Sequence, residues 1–219
     1  HKSKQNIKCI GFQHTLFFKY QHSITRSINE IFDPNLILCA GETSAKILKK
    51  KIKNKKLCIK VLGSPMEEKK YFKIKSKKKN IILFLPSGDP EESKYMTRFA
   101  MELAKSNKKV LIVIRYHPIM INKLNNEFHE NLDNLSISYS TLEDDSNLAK
   151  WAIYSSSTAI FKAIMLGCIP LRLHCNLPTD FCDPLWQLKS NMIKTIFKLS
   201  DLENIFLNSY QNKKNKNIN

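Results

Sequence analysis

Val110-Leu111-Ile112-Val113-Ile114-Arg115-Tyr116-His117-Pro118 reads as a strand without a polar residue that ends abruptly in charged and hydrogen-bonding groups. An unbroken apolar run of β-branched and leucine residues suits a strand of a parallel sheet, covered on both faces, better than a half-exposed strand with alternating polarity. Arg115 and His117 then fall at the strand's carboxyl end, and Pro118 fixes the chain direction after them. A guanidinium and an imidazole need polar partners there. In an open α/β sheet ligands bind outside the carboxyl ends of the strands, so this short segment sets both the expected fold and the expected site.

Reading outward, the same pattern recurs. Ile81–Leu85 is a second apolar strand, followed by the loop Pro86-Ser87-Gly88 and a helix opened by Asp89-Pro90-Glu91-Glu92. Asp89 suits the cap, Pro90 the first helical position and Glu92 the third. Met96, Phe99, Ala100 and Leu103 lie on one helical face. Further strands are expected at Leu135–Tyr139, Trp151–Tyr154 and Cys168–Leu173, with helices near Leu142–Lys150 and over Thr158–Leu166, the latter stopped by Gly167. Pro184–Lys189 and Asp201–Asn208 are expected as the final helices, followed by a polar tail, Gln211–Asn219.

Before these units, Ile7–Phe12, Asn35–Ala40 and Leu57–Leu62 read as three strands, with a helix from Gly41-Glu42-Thr43-Ser44 to about Lys51 capped by Thr43 or Ser44. Fewer than 80 residues cannot complete a doubly wound domain. The expected organisation is therefore the closing part of an amino-terminal Rossmann-like domain with its linker at residues 1–75, a Rossmann-type carboxyl-terminal domain at 76–210, and the tail at 211–219. The linker itself is Gly63–Lys79. His1 is not a methionine, and the opening residues lack a secretion signal's apolar core, so the chain is expected to lack its natural beginning.

Composition narrows the function. No apolar stretch reaches the roughly 20 residues of a membrane-spanning helix. Cys9, Cys39, Cys58, Cys168, Cys175 and Cys182 show no zinc-ligand spacing and read as reduced cytosolic thiols. The net charge of +17 and pI near 9.6 would ordinarily suggest nucleic acid. Only Arg26, Arg98, Arg115 and Arg172 among the 36 basic residues are arginines, however, and bidentate phosphate and base recognition favours arginine. No specific nucleic-acid partner is expected. The lysine concentration in Lys46–Lys79 fits either a solvated helix face with a linker, or peripheral contact with anionic lipid at the inner face of a membrane.

Four strand ends gather the candidate chemistry: Gln13-His14, Ser87-Gly88, Arg115-Tyr116-His117-Pro118 and Ser155-Ser156-Ser157-Thr158. The serine run lies between a strand and a helix, where hydroxyls and helix-start N–H groups can hold phosphate; Ser157 as a mere helix cap is the competing reading. Arg115 and His117 can balance a nucleotide phosphate and stabilise it as a leaving group, while His117 satisfied by a backbone carbonyl is the structural alternative. His14 fits a cleft base, or a cap for Thr15–Tyr20, and Gln13 can bond sugar or acceptor hydroxyls. Glu143-Asp144-Asp145 reads as carboxylates at a helix start rather than a metal site. His174 and Asp183 flank a loop that could touch the cleft. Nothing in their spacing demands a role.

Taken together, Arg115-Tyr116-His117-Pro118, the run Tyr154–Ile164 and Gly167-Cys168-Ile169-Pro170 resemble the nucleotide-binding half of GT-B glycosyltransferases of bacterial surface-polysaccharide synthesis. The His-Pro and serine motifs are similar to those of bacterial sialyltransferases, capsule Kdo transferases and polyol-phosphate polymerases. Gly11-Phe12-Gln13-His14-Thr15, Gly41-Glu42 and Val61-Leu62-Gly63-Ser64 resemble uncharacterised surface-carbohydrate biosynthesis proteins. The likeness spans most of residues 7–175. It implies a metal-independent, cytoplasmic transferase without a resident cofactor, moving a sugar from a CMP- or UDP-type nucleotide donor to a glycan or lipid-linked acceptor. The resemblance assigns donor binding to Arg115, His117 and Ser155–Thr158, and position at a strand end adds Ser87 and Gly88 to the expected donor site. Many of these enzymes carry a ribose-binding glutamate on the helix after the serine loop, where this chain has Lys162. A sugar-nucleotide epimerase, a polyol-phosphate transferase and a non-catalytic basic module are the competing functions.

Overall fold

The computed structural model describes residues 8–20, 25, 32–54, 56–64, 78–124, 131–188 and 193–206. The chain divides into two compact units, His1–Tyr71 and Phe72–Asn219. Most of the expected linker and the tail after residue 206 lie outside the described residues.

In the first unit β1 (Ile10–Gln13), β2 (Leu36–Cys39) and β3 (Cys58–Val61) form a parallel sheet in that order, with Ile10 opposite Leu36 and Leu36 opposite Cys58. Helix α1 (Glu42–Lys51) connects β2 to β3. Its Ala45 and Leu48, with the following Ile52, pack on Ile37, Cys39 and Ile59 of the sheet and on Phe17. The helix starts at Gly41 without a side-chain cap, so neither Thr43 nor Ser44 takes that role; Ser44 is buried instead. Residues 15–20 form bends and turns rather than a helix for His14 to cap.

The second unit is a six-stranded, all-parallel sheet: β4 (Lys79–Leu85), β5 (Leu111–Ile114), β6 (Leu135–Ile137), β7 (Ala149–Tyr154), β8 (Ile169–Leu173) and β9 (Lys194–Ile196). Their spatial order is β6-β5-β4-β7-β8-β9. The chain thus winds outward from β4 to one edge, returns to β4's other side at β7, and winds to the opposite edge, which is the dinucleotide-fold order 3-2-1-4-5-6.

Helices cover both faces, which is why the strands need no polar alternation. Ile82 and Phe84 of β4 look toward α2 (Pro90–Ser106), α3 (Pro118–Leu124) and the helical segment 199–206, meeting Met96, Phe99, Leu103, Met120 and Phe206. Ile81, Leu83 and Leu85 look the other way, toward α4 (Leu142–Leu148) and α5 (Ala159–Met165), meeting Ile160 and Ala163. Side chains such as Leu83 and Phe84 are fully enclosed, and each such burial contributes roughly 1.5–3 kcal/mol.

Local signals act as the sequence predicts at α2 and α5. Asp89 Oδ1 accepts the Glu92 N–H at 2.8 Å, and Pro90 occupies the first helical position. Past α5, Gly167 adopts φ +83°, and the N–H groups of Gly167 and Cys168 return to the carbonyls of Ile164 and Ala163. That left-handed residue is where glycine is required. Lys78 Nζ closes the same corner by donating to the carbonyls of Ser146 and Leu166.

Three elements depart from expectation. Residues 184–188 form turns, not a helix, because Asp183 Oδ1 captures the Leu185 N–H at 2.9 Å while Leu185 packs into the core. Helix α3 begins at Pro118 itself, and β9 is a three-residue strand with too little pattern to be read from the sequence.

Candidate functional site

The sheet order places the reversal of winding, where open α/β sheets bind their ligands, between the carboxyl ends of β4 and β7. Ser87-Gly88 and Ser155-Ser156 border it. What joins them is Glu92, on the first turn of α2, whose side chain has no solvent exposure. Its Oε1 accepts the Ser87 N–H at 2.9 Å, and its Oε2 accepts the Ser156 hydroxyl. Glu92 completes its helix's cap through its backbone N–H, while its carboxylate holds two loops together. The expectation assigned Glu92 only a place in the helix start.

Ser87 is engaged throughout: its carbonyl accepts from Ser93 Oγ at 3.0 Å and its hydroxyl accepts the Asp89 N–H at 3.2 Å. With Asp89 capping α2 and Glu92 beneath, the first turn after β4 presents carboxylates and no open run of N–H donors. Ser87 is thus fixed in place by Glu92, Asp89 and Ser93.

Gly88 instead makes room for His117. A β-carbon at Gly88 would stand 3.4 Å from His117 Nδ1 and 3.4 Å from Ile119 Cγ2. His117 is exposed, and its Nδ1 accepts the Ile119 N–H at 3.3 Å. In the neutral ring this leaves Nε2 as the donor. Between the two motif residues, Tyr116 is buried, its hydroxyl 2.6 Å from Thr97 Oγ1 and Thr97 in turn donating to the Ser93 carbonyl. With Tyr116 turned inward, His117 stands exposed beside Gly88.

Arg115 turns toward β6. Its Nη1 donates to the Ser140 carbonyl and lies 3.2 Å from Asp145 Oδ2, which also accepts from Ser138 Oγ at 2.7 Å. Its charge is balanced within the protein. Glu143 pairs with Lys162 at 2.8 Å, and that hydrogen bond holds the Glu143 carboxyl below its ordinary range. Asp144 binds the Thr141 cap. The acidic run thus serves the helix start and two basic residues. Among the described residues no group of three or more metal-ligating side chains could hold a metal ion.

On the serine loop, Ser155 and Ser157 are buried, Ser156 is partly so and Thr158 is exposed. Thr158 is the residue preceding α5 and makes no side-chain cap. Ser155 Oγ donates to Asp180 Oδ1 at 3.3 Å. Asp180, on a 3-10 turn at Pro178–Cys182, also accepts the N–H groups of Cys175 at 3.1 Å and Leu177 at 2.8 Å, and lies 2.7 Å from His174 Nδ1. Arg172 Nη2 donates to the Asp180 carbonyl, while its Nε faces Asp183 Oδ2 at 3.4 Å as an ion pair without hydrogen-bond geometry. Asp183 accepts from Tyr154 at 3.3 Å. Burial, then the Asp183 carboxylate, raises the Tyr154 hydroxyl's pKa. Burial pushes Cys175 up to about 12, against a hydrogen bond from Ser155 and with support from Glu92 and Asp180. Both groups are neutral at physiological pH, so neither is an anionic nucleophile.

Polar contacts thus connect Ser87 through Glu92 to Ser156, and Ser155 through Asp180 to His174, while His117 lies beside Gly88. Together they form a polar rim over the ends of β5, β4, β7 and β8. Sequence reasoning found its serines and His117 and missed Glu92 and Asp180; the burial of a carboxylate so near Ser87 has no local signature.

Gln13 and His14 belong to the first unit. Gln13 is buried, and its Nε2 donates to the carbonyl and hydroxyl oxygens of Thr15, at 3.0 and 2.8 Å. Its amide nitrogen is thus engaged by its own loop. His14 is exposed, with its ring stacked 6.1 Å from that of Phe12.

An α/β fold with parallel sheets of this kind is the fold of GT-B glycosyltransferases. Among solved structures, TarM superposes with a TM-score of 0.57 at 12% identity, covering 94% of this chain and 44% of that one. A GtfA/B complex gives 0.53 at 10% identity, covering 87% and 42%. The pneumococcal O-GlcNAc transferase GtfA, solved with UDP and GlcNAc, gives 0.51 at 11% identity, covering 75% and 37%. The chain spans less than half the length of each. No protein-family model and no curated protein matches it.

Proposed function

We propose that the carboxyl-terminal unit holds a nucleotide-sugar donor for glycosyl transfer to a surface glycan or lipid-linked acceptor. The observation that carries this reading is the polar rim over the β4/β7 reversal point, on a fold shared with an O-GlcNAc transferase solved with UDP and GlcNAc. His117 donates to the nucleotide phosphate, with Ser157 and Thr158 as hydroxyl donors. The Nε2–H, left as the ring's donor while Nδ1 accepts the Ile119 N–H, offsets charge that develops on the leaving phosphate. Glu92 and Asp180 act from behind, holding the loops. Arg115 supports the β5 end through Asp145 and contributes field rather than a bidentate clamp. His14 remains the base assigned to the acceptor hydroxyl. A UDP- or CMP-type donor is part of the proposal, as is chemistry without a metal.

Titration calorimetry of the full chain with UDP, CMP, CDP and GDP tests the donor site. Saturable binding of one nucleotide, weakened by H117A, supports it; no binding of any of the four overturns it. Incubating the sugar nucleotide alone, without acceptor, separates transfer from epimerisation. A changed sugar in that arm would assign the epimerase reading.

A further inference from the structure

From Thr43 to Ser64 the chain carries eight lysines and no aspartate, glutamate, arginine or aromatic residue. The structure orders part of this charge. On α1 the inward face is Ala45 and Leu48, continued by Ile52, packed on the sheet. Lys46, Lys49 and Lys50, continued by Lys53, are exposed on the opposite side, at the spacing that aligns side chains along one helical stripe. A single acidic residue, Glu42, stands on the helix, in its first turn, and Lys49–Lys51 occupy its last.

We propose that this α1 face docks on an anionic phospholipid surface, an interaction that goes beyond the donor-binding reading and does not depend on it. The partner must be negatively charged and tolerate point charges. Lysine ammonium groups suit a diffuse headgroup field, whereas bidentate phosphate recognition calls for arginine and single-stranded nucleic acid for aromatic platforms, both absent from this stretch. A linear stripe on a helix whose other face is fixed to a sheet matches a planar surface. Each lysine near such a surface raises partitioning by about fivefold at physiological ionic strength, so four act in concert over a large range.

Co-flotation of the full chain with phosphatidylcholine vesicles containing about 30% phosphatidylglycerol, and with phosphatidylcholine alone, tests the proposal. Flotation with the anionic vesicles only, abolished near 0.5 M salt, is expected. The variant K46Q/K49Q/K50Q/K53Q should lose at least about tenfold in recovery while keeping the wild-type thermal transition. The single charge reversal K50E provides the same comparison if the quadruple variant folds poorly. Equal flotation of wild type and variants overturns the proposal, as does failure of the wild type to float. Retention of the chain by single-stranded RNA in the presence of anionic vesicles would assign the stripe to nucleic acid and likewise overturn it.

Discussion

Ser156 Oγ donates a hydrogen bond to Glu92 Oε2, so a residue of the loop after β7 is tied to the first turn of α2 by a carboxylate with no exposure to water. The same carboxylate holds the Ser87 N–H. Removing it leaves a buried N–H and a hydroxyl without their acceptor. The E92A variant should lose about 2–4 kcal/mol of unfolding free energy, and E92Q, which keeps one acceptor oxygen, roughly half of that. Urea denaturation gives the comparison. An E92A midpoint equal to that of the wild type would refute the tie.

A β-carbon at Gly88 would meet the His117 ring and Ile119 at 3.4 Å, so glycine leaves the imidazole its room. The alanine variant should fold with stability within about 1 kcal/mol of wild type, since the added methyl only meets the ring and Ile119. Valine needs more space and must displace the imidazole. G88V should weaken nucleotide affinity on the order of tenfold, about 1.4 kcal/mol, with a smaller effect from G88A. Calorimetry showing tight binding by G88V would exclude His117 from the donor site.

Arg115 and Asp145 form a partly buried pair that shares its carboxylate oxygen with Ser138. In a double-mutant cycle, R115M and D145N should each destabilise the protein, and their coupling energy should be about 1 kcal/mol. Additive effects would show that the pair holds nothing in place. If Arg115 contributes only field at the donor site, R115M should also reduce nucleotide affinity far less than H117A does.

Cys175 links the fold to alkaline pH. Its thiol is raised from an ordinary value of 9.0 to about 12 by burial. Because the folded value exceeds the unfolded one, the neutral thiol's contribution is complete below pH 9 and declines as pH rises toward 12. Each such group takes away about 1.4 kcal/mol per pH unit in that window. Cys168, raised to about 11, acts in the same sense. Stability should fall between pH 9 and 11 less steeply in C175A than in wild type, after allowing for a lower starting value. Parallel curves would mean that the thiol ionises as easily in the folded chain as in the unfolded one.

Much of the carboxyl-terminal fold was legible because its signals are local. The apolar strand around Ile112, the Asp89-Pro90 helix start and the Gly167 stop each depend on neighbours within a few positions. The first unit's strands were also visible, shifted by a residue or more at their ends. The short β9 and the 3-10 turn at Pro178–Cys182 offered too few residues for a period to show. At the site, hydroxyl-rich strand ends could be found from the expected topology, but the partners that orient them could not. Glu92 reaches Ser156, Asp145 reaches Arg115 and Asp180 reaches Ser155 across long separations in the chain, and nothing near any of them indicates which direction its carboxylate takes. Gln13 shows the converse: a polar residue at a strand end that satisfies itself on Thr15.

The winding of the sheet also sets an order of events. β4 lies at the centre of its sheet and pairs with β7, Ile82 opposite Trp151, only after two intervening strands and their helices. As the chain is made, β4, β5 and β6 are complete while one side of β4 still has open backbone hydrogen bonds. Closing that long loop is an entropic barrier that local pairing does not face. The interval before Trp151 arrives is when the nascent chain is most prone to pair with a copy of itself.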